Sequence, residues 1–376
     1  MGKNKRLSCL LAAVLVLPWP AAVHAMPADA TPQGVAVDGA RAAAFAAIMQ
    51  RHGIPGAQLV HVRDGREQAI EYGRMRADGG RAVEADTLFQ AASLSKVVGA
   101  YVTLRLVDRG LIELDRPLWE YWPSPRAKDN PQARRITARM VLNHTTGLKN
   151  WEISPSNPAI DGTPLQSLFE AGARYSYSGE GFYLLQHTLE HLTGSRWERL
   201  ARKEVFDVFG MPGSRYLTDP ESTARNANGH GRDGEVLADR VFDWENTAWT
   251  LVTTAREYSR FLQRALYRGE GLTPASHALL KTRSSDAEDQ AVPVPVDPHI
   301  DWSLCVGLET VEGRTRLWHW GDNPGFKAFF MLDPDSGESL VLLTNSENGM
   351  QAFKEVLRLF LGPGEYPAVD WAAAQS

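Results

Sequence analysis

Ser93-Leu94-Ser95-Lys96 sets a hydroxyl and an amine three residues apart, inside the run FQAASLSKVVGAYVTLRLVDRG (89–110). Residues i and i+3 of a helix share a face, so Lys96 can reach back to Ser93 Oγ. A serine hydroxyl is a weak nucleophile at neutral pH and needs a neighbouring base to take its proton. A helix N-terminus adds backbone N–H groups able to hold an oxyanion. This is the equipment of serine acyl transfer. At ordinary Ser and Lys usage roughly one such tetrad arises by chance in a chain this long, so its partners decide. Two more segments stand out: Tyr177-Ser178-Gly179 within AGARYSYSGEGFYLLQ (171–186), and His319-Trp320-Gly321 within LWHWGDNPGFKAFF (317–330), at the entrance to an apolar strand.

The elements that must position these groups follow from spacing. A helix starting near Ser93 carries Val97, Ala100, Tyr101, Leu104 and Val107 on one side and ends at Arg109-Gly110. The Ala-rich stretch 37–52 predicts another helix, stopped by Gly53 and Pro55. GAQLVHVRDG (56–65) and REQAIEYGRM (66–75) predict two strands joined by an Asp64-Gly65 turn. From about 112 to 290 the pattern is helical, as in 137–145, 181–192 and 254–266. A Pro- and acid-rich loop at 283–300 precedes three apolar runs of strand character (303–311, 326–333, 338–345) and a last helix at 349–362. Neighbouring hairpins imply an antiparallel sheet. The expected fold is therefore α/β (α+β): terminal strands share one sheet flanked by helices, with a mostly helical second lobe. Its boundaries fall at about 37–95 plus 295–365 for the α/β lobe and 96–294 for the helical one. Ser93 would lie at their junction, where clefts form.

Of 376 residues 43% are hydrophobic and 23% charged, with a net charge of −5; nothing in this balance points to a polyanionic partner, and no nucleic acid is expected. Residues 1–25 read as a cleavable secretory signal: Lys3, Lys5 and Arg6, an apolar stretch from Leu10 to Leu17, and a Val23-His24-Ala25 exit. The expected location of the domain at 26–376 is periplasmic or secreted. No segment reaches a membrane-spanning length. Cys305 would then be the single thiol, so the core carries stability without an internal disulfide.

The order Ser-x-x-Lys, Tyr-Ser-Gly, His-x-Gly resembles that of the penicillin-binding and class C beta-lactamase superfamily, whose motifs are Ser-x-x-Lys, Tyr-x-Asn and Lys-Thr-Gly, the third often His-x-Gly. IPGAQLV (54–60), DRGLIELDRPL (108–118), ITARMVLNHTTGL (136–148), GMPGSRY (210–216) and WTLVTTAREYSRF (249–261) look like further family segments in the right order. The resemblance covers roughly residues 37–361. It implies a beta-lactamase/transpeptidase-like serine hydrolase in which Ser93 is acylated and Lys96 and Tyr177 move protons. It further implies an oxyanion held by the N–H groups of Ser93 and Asp322, with His319, Trp320, Gly321 and Asp322 on the substrate side. Either a neutral lysine or a tyrosinate would serve as base. Gly179 stands where the family has Asn, deleting an amide that holds the substrate's own amide. His319 stands where it has Lys, replacing a fixed cation by a ring mostly neutral at pH 7. Both departures favour an ester or peptide-like substrate over a beta-lactam. The alternatives are a true class C-like beta-lactamase or D-alanyl-D-alanine carboxypeptidase, and a non-hydrolytic relative that binds cell-wall fragments.

Tyr175 competes with Tyr177 for the phenol role, and Trp318 with Trp320 for a place on the wall. His187-Thr188-Leu189-Glu190-His191 imitates a zinc peptidase signature, yet helical phasing turns both histidines away from Leu185, Leu189 and Leu192, and no third ligand follows. No metal or cofactor is expected. The expected partner is a small-molecule or peptide-like substrate, with oligomeric state open.

Overall fold

The first hairpin shows how closely local chemistry dictates the sheet. Asp64 (φ 51°) and Gly65 (φ 70°) are both left-handed, as a two-residue turn matching the strand twist requires. The computed structural model describes residues 32–219, 223–287, 297–304 and 306–375. The expected signal at 1–25, Cys305 and much of the 283–300 loop lie outside the described residues.

The chain opens with β1 (Gln33–Gly34), α1 (Gly39–Arg51), β2 (Gly56–Arg63) and β3 (Arg66–Gly73). After β4 (Phe89–Gln90) come α2 (Ser95–Asp108), α3 (Leu118–Tyr121), α4 (Ala138–Leu142) and α5 (Gly179–Thr193). β5 (Val252–Thr253) pairs with β4 as a separate two-stranded ribbon. The remaining strands are β6 (Ile300–Trp302), β7 (Gly307–Val311), β8 (Arg314–Asn323), β9 (Phe326–Leu332) and β10 (Ser339–Thr344). They complete an eight-stranded sheet in the order β1-β3-β2-β10-β9-β8-β7-β6. The expected joining of terminal strands occurs at β2 and β10, antiparallel with Val60 opposite Val341. Among the named strand pairs of the described residues, β1 against β3 is the parallel one.

Strand alternation sorts the core into two layers. Leu59, Phe329, Met331, Leu340 and Leu342 face α1 (Phe45, Ile48, Met49) and the C-terminal helix Gly349–Leu361 (Phe353, Val356, Leu357, Phe360). Val60, Val62, Phe330, Val341 and Leu343 belong to the other cluster, with Leu94, Val97, Val98 and Tyr101 at the start of α2. That second layer carries the Ser93 turn.

Two expectations are corrected. His319 was expected at the entrance to the strand of 326–333; it lies inside a strand of its own, β8. The Asn323-Pro324-Gly325-Phe326 segment is a two-residue hairpin turn, with Asn323 paired to Phe326 and Gly325 at φ 77°. The helix expected from Ser93 starts as a tighter turn, Ala92–Leu94, before α2 proper.

Candidate active site

Ala92, the residue before Ser93, adopts φ 49°, a left-handed conformation that costs a non-glycine residue energy. The surroundings hold it there. Ser95 Oγ donates to Ala92 O at 2.5 Å and accepts from Leu251 N–H at 3.0 Å, while the Tyr258 and Tyr216 hydroxyls donate to Leu94 O (3.0 Å) and Ser95 O (2.9 Å). Ser93 thus sits in a turn braced from three distant segments. Its N–H lies in the first turn of the helix, where N–H groups have no helical acceptor.

Lys96 follows one turn on, 2% exposed. Its Nζ donates to Ser93 Oγ at 3.1 Å and to Ala248 O at 2.9 Å. It lies over the Tyr177 ring (4.8 Å to the centroid) and near that of Phe182 (5.8 Å). Tyr177 precedes the cap of α5. Ser178 Oγ accepts from Gly181 N–H at 3.1 Å and donates to Lys149 O at 2.8 Å. The Tyr177 ring stacks on His144 at 4.3 Å and contacts Trp320 at 4.8 Å. Tyr175 instead lies in the core among Trp302 and Trp371, 2% exposed.

Ser93, Lys96, Tyr177, Trp320 and Asp322 line one cleft of about 620 Å³, with Asn150, Trp151, Ser176, Arg240, Trp249 and Asn323 among the other walls. Asp322 arrives there because β7 begins only at Gly307, opposite Trp318, and does not cover the rest of β8. The β8–β9 register makes Asp322–Lys327 a non-hydrogen-bonded pair next to the turn, which aims the Asp322 N–H at the open edge of β8. Gly321 permits the approach: a Cβ there would stand 2.3 Å from Ala91 O. The third motif's glycine is therefore a close-packing requirement between β8 and the turn that bears Ser93.

His319 and Gly321 do not line the cleft. His319 is fully buried, its ring 6.2 Å from that of Tyr177, with Nδ1–H donating to Trp320 O at 2.7 Å. Burial, then the nearby Lys96 charge, pushes its pKa down to about 3, so the ring is neutral. His144, also fully buried, accepts the Ser178 N–H on Nδ1 at 3.1 Å, and burial followed by Lys96 holds its pKa well below the usual imidazole value.

Gly179 has a concrete counterpart. A Cβ at this position would stand 2.2 Å from the Trp151 ring. The indole occupies the space that an asparagine side chain would need, turning an amide wall into an apolar one. The Trp151 loop is pinned by α5: Asn150 O accepts from the Gly179 and Glu180 N–H groups, and Glu180 Oε1 accepts from Glu152 N–H at 3.0 Å. Glu180 is itself held bidentately by Arg126 at 2.7 and 2.9 Å. Sequence reading did not single out Ala248, His144, Trp151, Trp249 or Arg240. The segments LNHTTGL and WTLVTTAREYSRF were quoted, but their contacts with the site are long-range.

Residues 41–360 match the Beta-lactamase family. The chain belongs to that family. Among beta-lactamase-family relatives, penicillin-binding protein 4 of Amycolatopsis lactamdurans is 26% identical over 338 residues, covering 85% of this chain and 88% of that protein. A class C beta-lactamase structure superposes with a TM-score of 0.72 at 18% identity, over 87% of this chain and 98% of that one. A D-alanine carboxypeptidase from Burkholderia cenocepacia gives 0.70 at 18% identity, over 85% and 97%. At such identities the structural likeness speaks to the fold, a beta-lactamase/transpeptidase-like one. Family membership makes the protein a serine hydrolase.

Proposed function

We propose that this hydrolase cleaves an ester or a peptide-like amide, of the esterase or D-amino acid peptidase type, through an acyl-enzyme on Ser93. The observation that carries the reading is the Lys96 amine 3.1 Å from Ser93 Oγ, beside Tyr177 in the cleft. Neutral Lys96, or Tyr177 through it, takes the Ser93 proton as Oγ bonds to the substrate carbonyl carbon. The carbonyl electron pair moves onto oxygen, held by the N–H groups of Ser93 and Asp322. Collapse expels the alcohol or amine, which receives its proton by way of Tyr177. Water then attacks the acyl-serine by the reverse of these transfers and frees the acid.

Two features favour esters and neutral amides over beta-lactams. Trp151 fills the place of the motif amide, so the hydrogen bond that amide would give a substrate amide is lost. His319, neutral and buried, supplies no cation for a carboxylate beside Tyr177. Export from the cytoplasm, read from residues 1–25, belongs to the same proposal.

The test compares p-nitrophenyl acetate, a D-alanine p-nitroanilide and nitrocefin, in wild type and Ser93→Ala. The account expects ester or anilide turnover well above nitrocefin turnover, all lost in Ser93→Ala. Rapid nitrocefin hydrolysis without ester or anilide cleavage would instead establish a beta-lactamase.

A further inference from the structure

A second cavity of about 270 Å³ adjoins the cleft, and the two share Arg240 and Pro324. Leu88, Val252 and Phe326 line the second cavity together with polar Gln90, Asn226 and Asp239, so its wall is mixed. Arg240 stands where the two spaces meet, its guanidinium carbon 5.5 Å from the Trp249 ring centroid.

Arg240 brings to the cleft wall a cation that no carboxylate holds among the described residues. Several other arginines are held by carboxylates: Arg196 on Glu245, Arg314 on Asp333 and Arg283 on Asp301, each with its pKa raised, most of all by that hydrogen bond. Lys149, the other cation at the cleft rim, is paired with Glu152 at 3.0 Å. Arg240 has an aromatic face as its neighbour and no ion pair among the described residues; burial lowers its pKa and no carboxylate raises it. A guanidinium is a planar fork suited to a carboxylate, and one already ordered on an indole has little freedom left to lose on binding.

The orientation follows from the proposed mechanism, on which this inference rests. Tyr177 passes the proton to the leaving group, so the leaving group lies on the Tyr177 side. The acyl part then extends the other way, past Asn323 and Pro324 towards Arg240. We propose that Arg240 is the anion-recognising residue of the cleft, and that the substrate is an ester or amide whose acyl part carries a carboxylate. The buried, neutral His319 adds no cation on the leaving-group side, and the charge preference is assigned to the acyl side, where Arg240 stands.

Two p-nitrophenyl esters isolate this charge: the pentanoate and the mono-ester of glutaric acid, with five-carbon acyl chains that differ in the terminal carboxylate. The wild type should favour the glutarate mono-ester by tenfold or more in kcat/KM, mainly through KM, with the preference shrinking at 0.5 M salt. In Arg240→Ala the ratio should fall to about one, and Arg240→Lys should keep part of it. A structural role would lower both esters together and leave the ratio intact. A binding measurement free of turnover completes the test. Ser93→Ala should bind the glutarate mono-ester, followed by Trp fluorescence, at least tenfold tighter than the pentanoate, and Ser93→Ala/Arg240→Ala should not. Loss of turnover on both esters with this binding difference kept would overturn the acyl-enzyme reading alone. Equal binding of the two esters, or a preference that survives Arg240→Ala, would overturn the role of Arg240.

Discussion

Two buried lysines, Lys96 and Lys327, show how one side chain is put to different uses. Lys327 is 4% exposed and ion-pairs with Asp322 at 2.5 Å and Glu347 at 2.6 Å. Burial alone would raise the Glu347 pKa, but Lys327 and the Gly325 N–H bring it below the usual carboxylate value. That cluster ties the β8–β9 hairpin to the loop after β10 and fixes the strand that presents the Asp322 N–H. Lys96, 2% exposed, meets the Ser93 hydroxyl, the Ala248 carbonyl and two aromatic faces among its contacts, with neutral His144 and His319 near enough to feel its charge. Carboxylates lock a proton onto a buried amine. The general base proposed at Lys96 must instead be able to give its proton up.

The contrast predicts opposite phenotypes. Lys96→Ala should lower kcat by about 10²–10⁴, the range for loss of a general base, while the melting temperature stays close to wild type. A large drop in melting temperature with kcat retained would reverse the assignment. Lys327→Met should do the converse, leaving Asp322 and Glu347 facing each other without their cation. Breaking a fully buried pair costs about 3–5 kcal/mol, and partial exposure of the two carboxylates brings the expectation to roughly 2–3 kcal/mol, read as a lowered urea midpoint. An unchanged midpoint would show that the cluster is not structural.

The smallest effect concerns the imidazoles. His319 has a folded pKa of about 3, far below its unfolded value near 6.5, so between these limits the unfolded chain binds the extra proton. Its stabilising contribution is complete above about pH 6.5 and is lost as pH falls, at up to about 1.4 kcal/mol per pH unit. Urea midpoints at pH 7, 5.5 and 4.5 should decline less steeply in His319→Gln than in wild type. Parallel slopes would contradict the buried neutral ring.

Much of the scaffold was legible because short-range signals announce it. The Asp64-Gly65 turn, the apolar runs that become β9 and β10, and the 3.6-residue stripe of α2 need no distant partner to be recognised. β8 was harder to see. Trp318, His319 and Trp320 carry no simple alternation, since that half of the strand is buried on both faces, and Pro324-Gly325 looks like the entry to a strand when it is the turn between two. The motif triplets identified Ser93, Lys96 and Tyr177, which do share the cleft. What sequence could not reveal is what comes from afar: Trp151 in the space of the missing amide, the Ala248 carbonyl on Lys96, and Arg240 from a loop without periodicity. Gly321 was read as part of a substrate motif, whereas its nearest constraint is the backbone of Ala91.

The central claim is that the hydroxyl beside Lys96 is the one that becomes acylated. Intact-mass analysis with peptide mapping after exposure to a fluorophosphonate probes it directly. The account predicts one adduct, mapped to Ser93, absent from Ser93→Ala and formed far more slowly in Lys96→Ala. A single adduct on any other residue, or labelling that persists in Ser93→Ala, would contradict it.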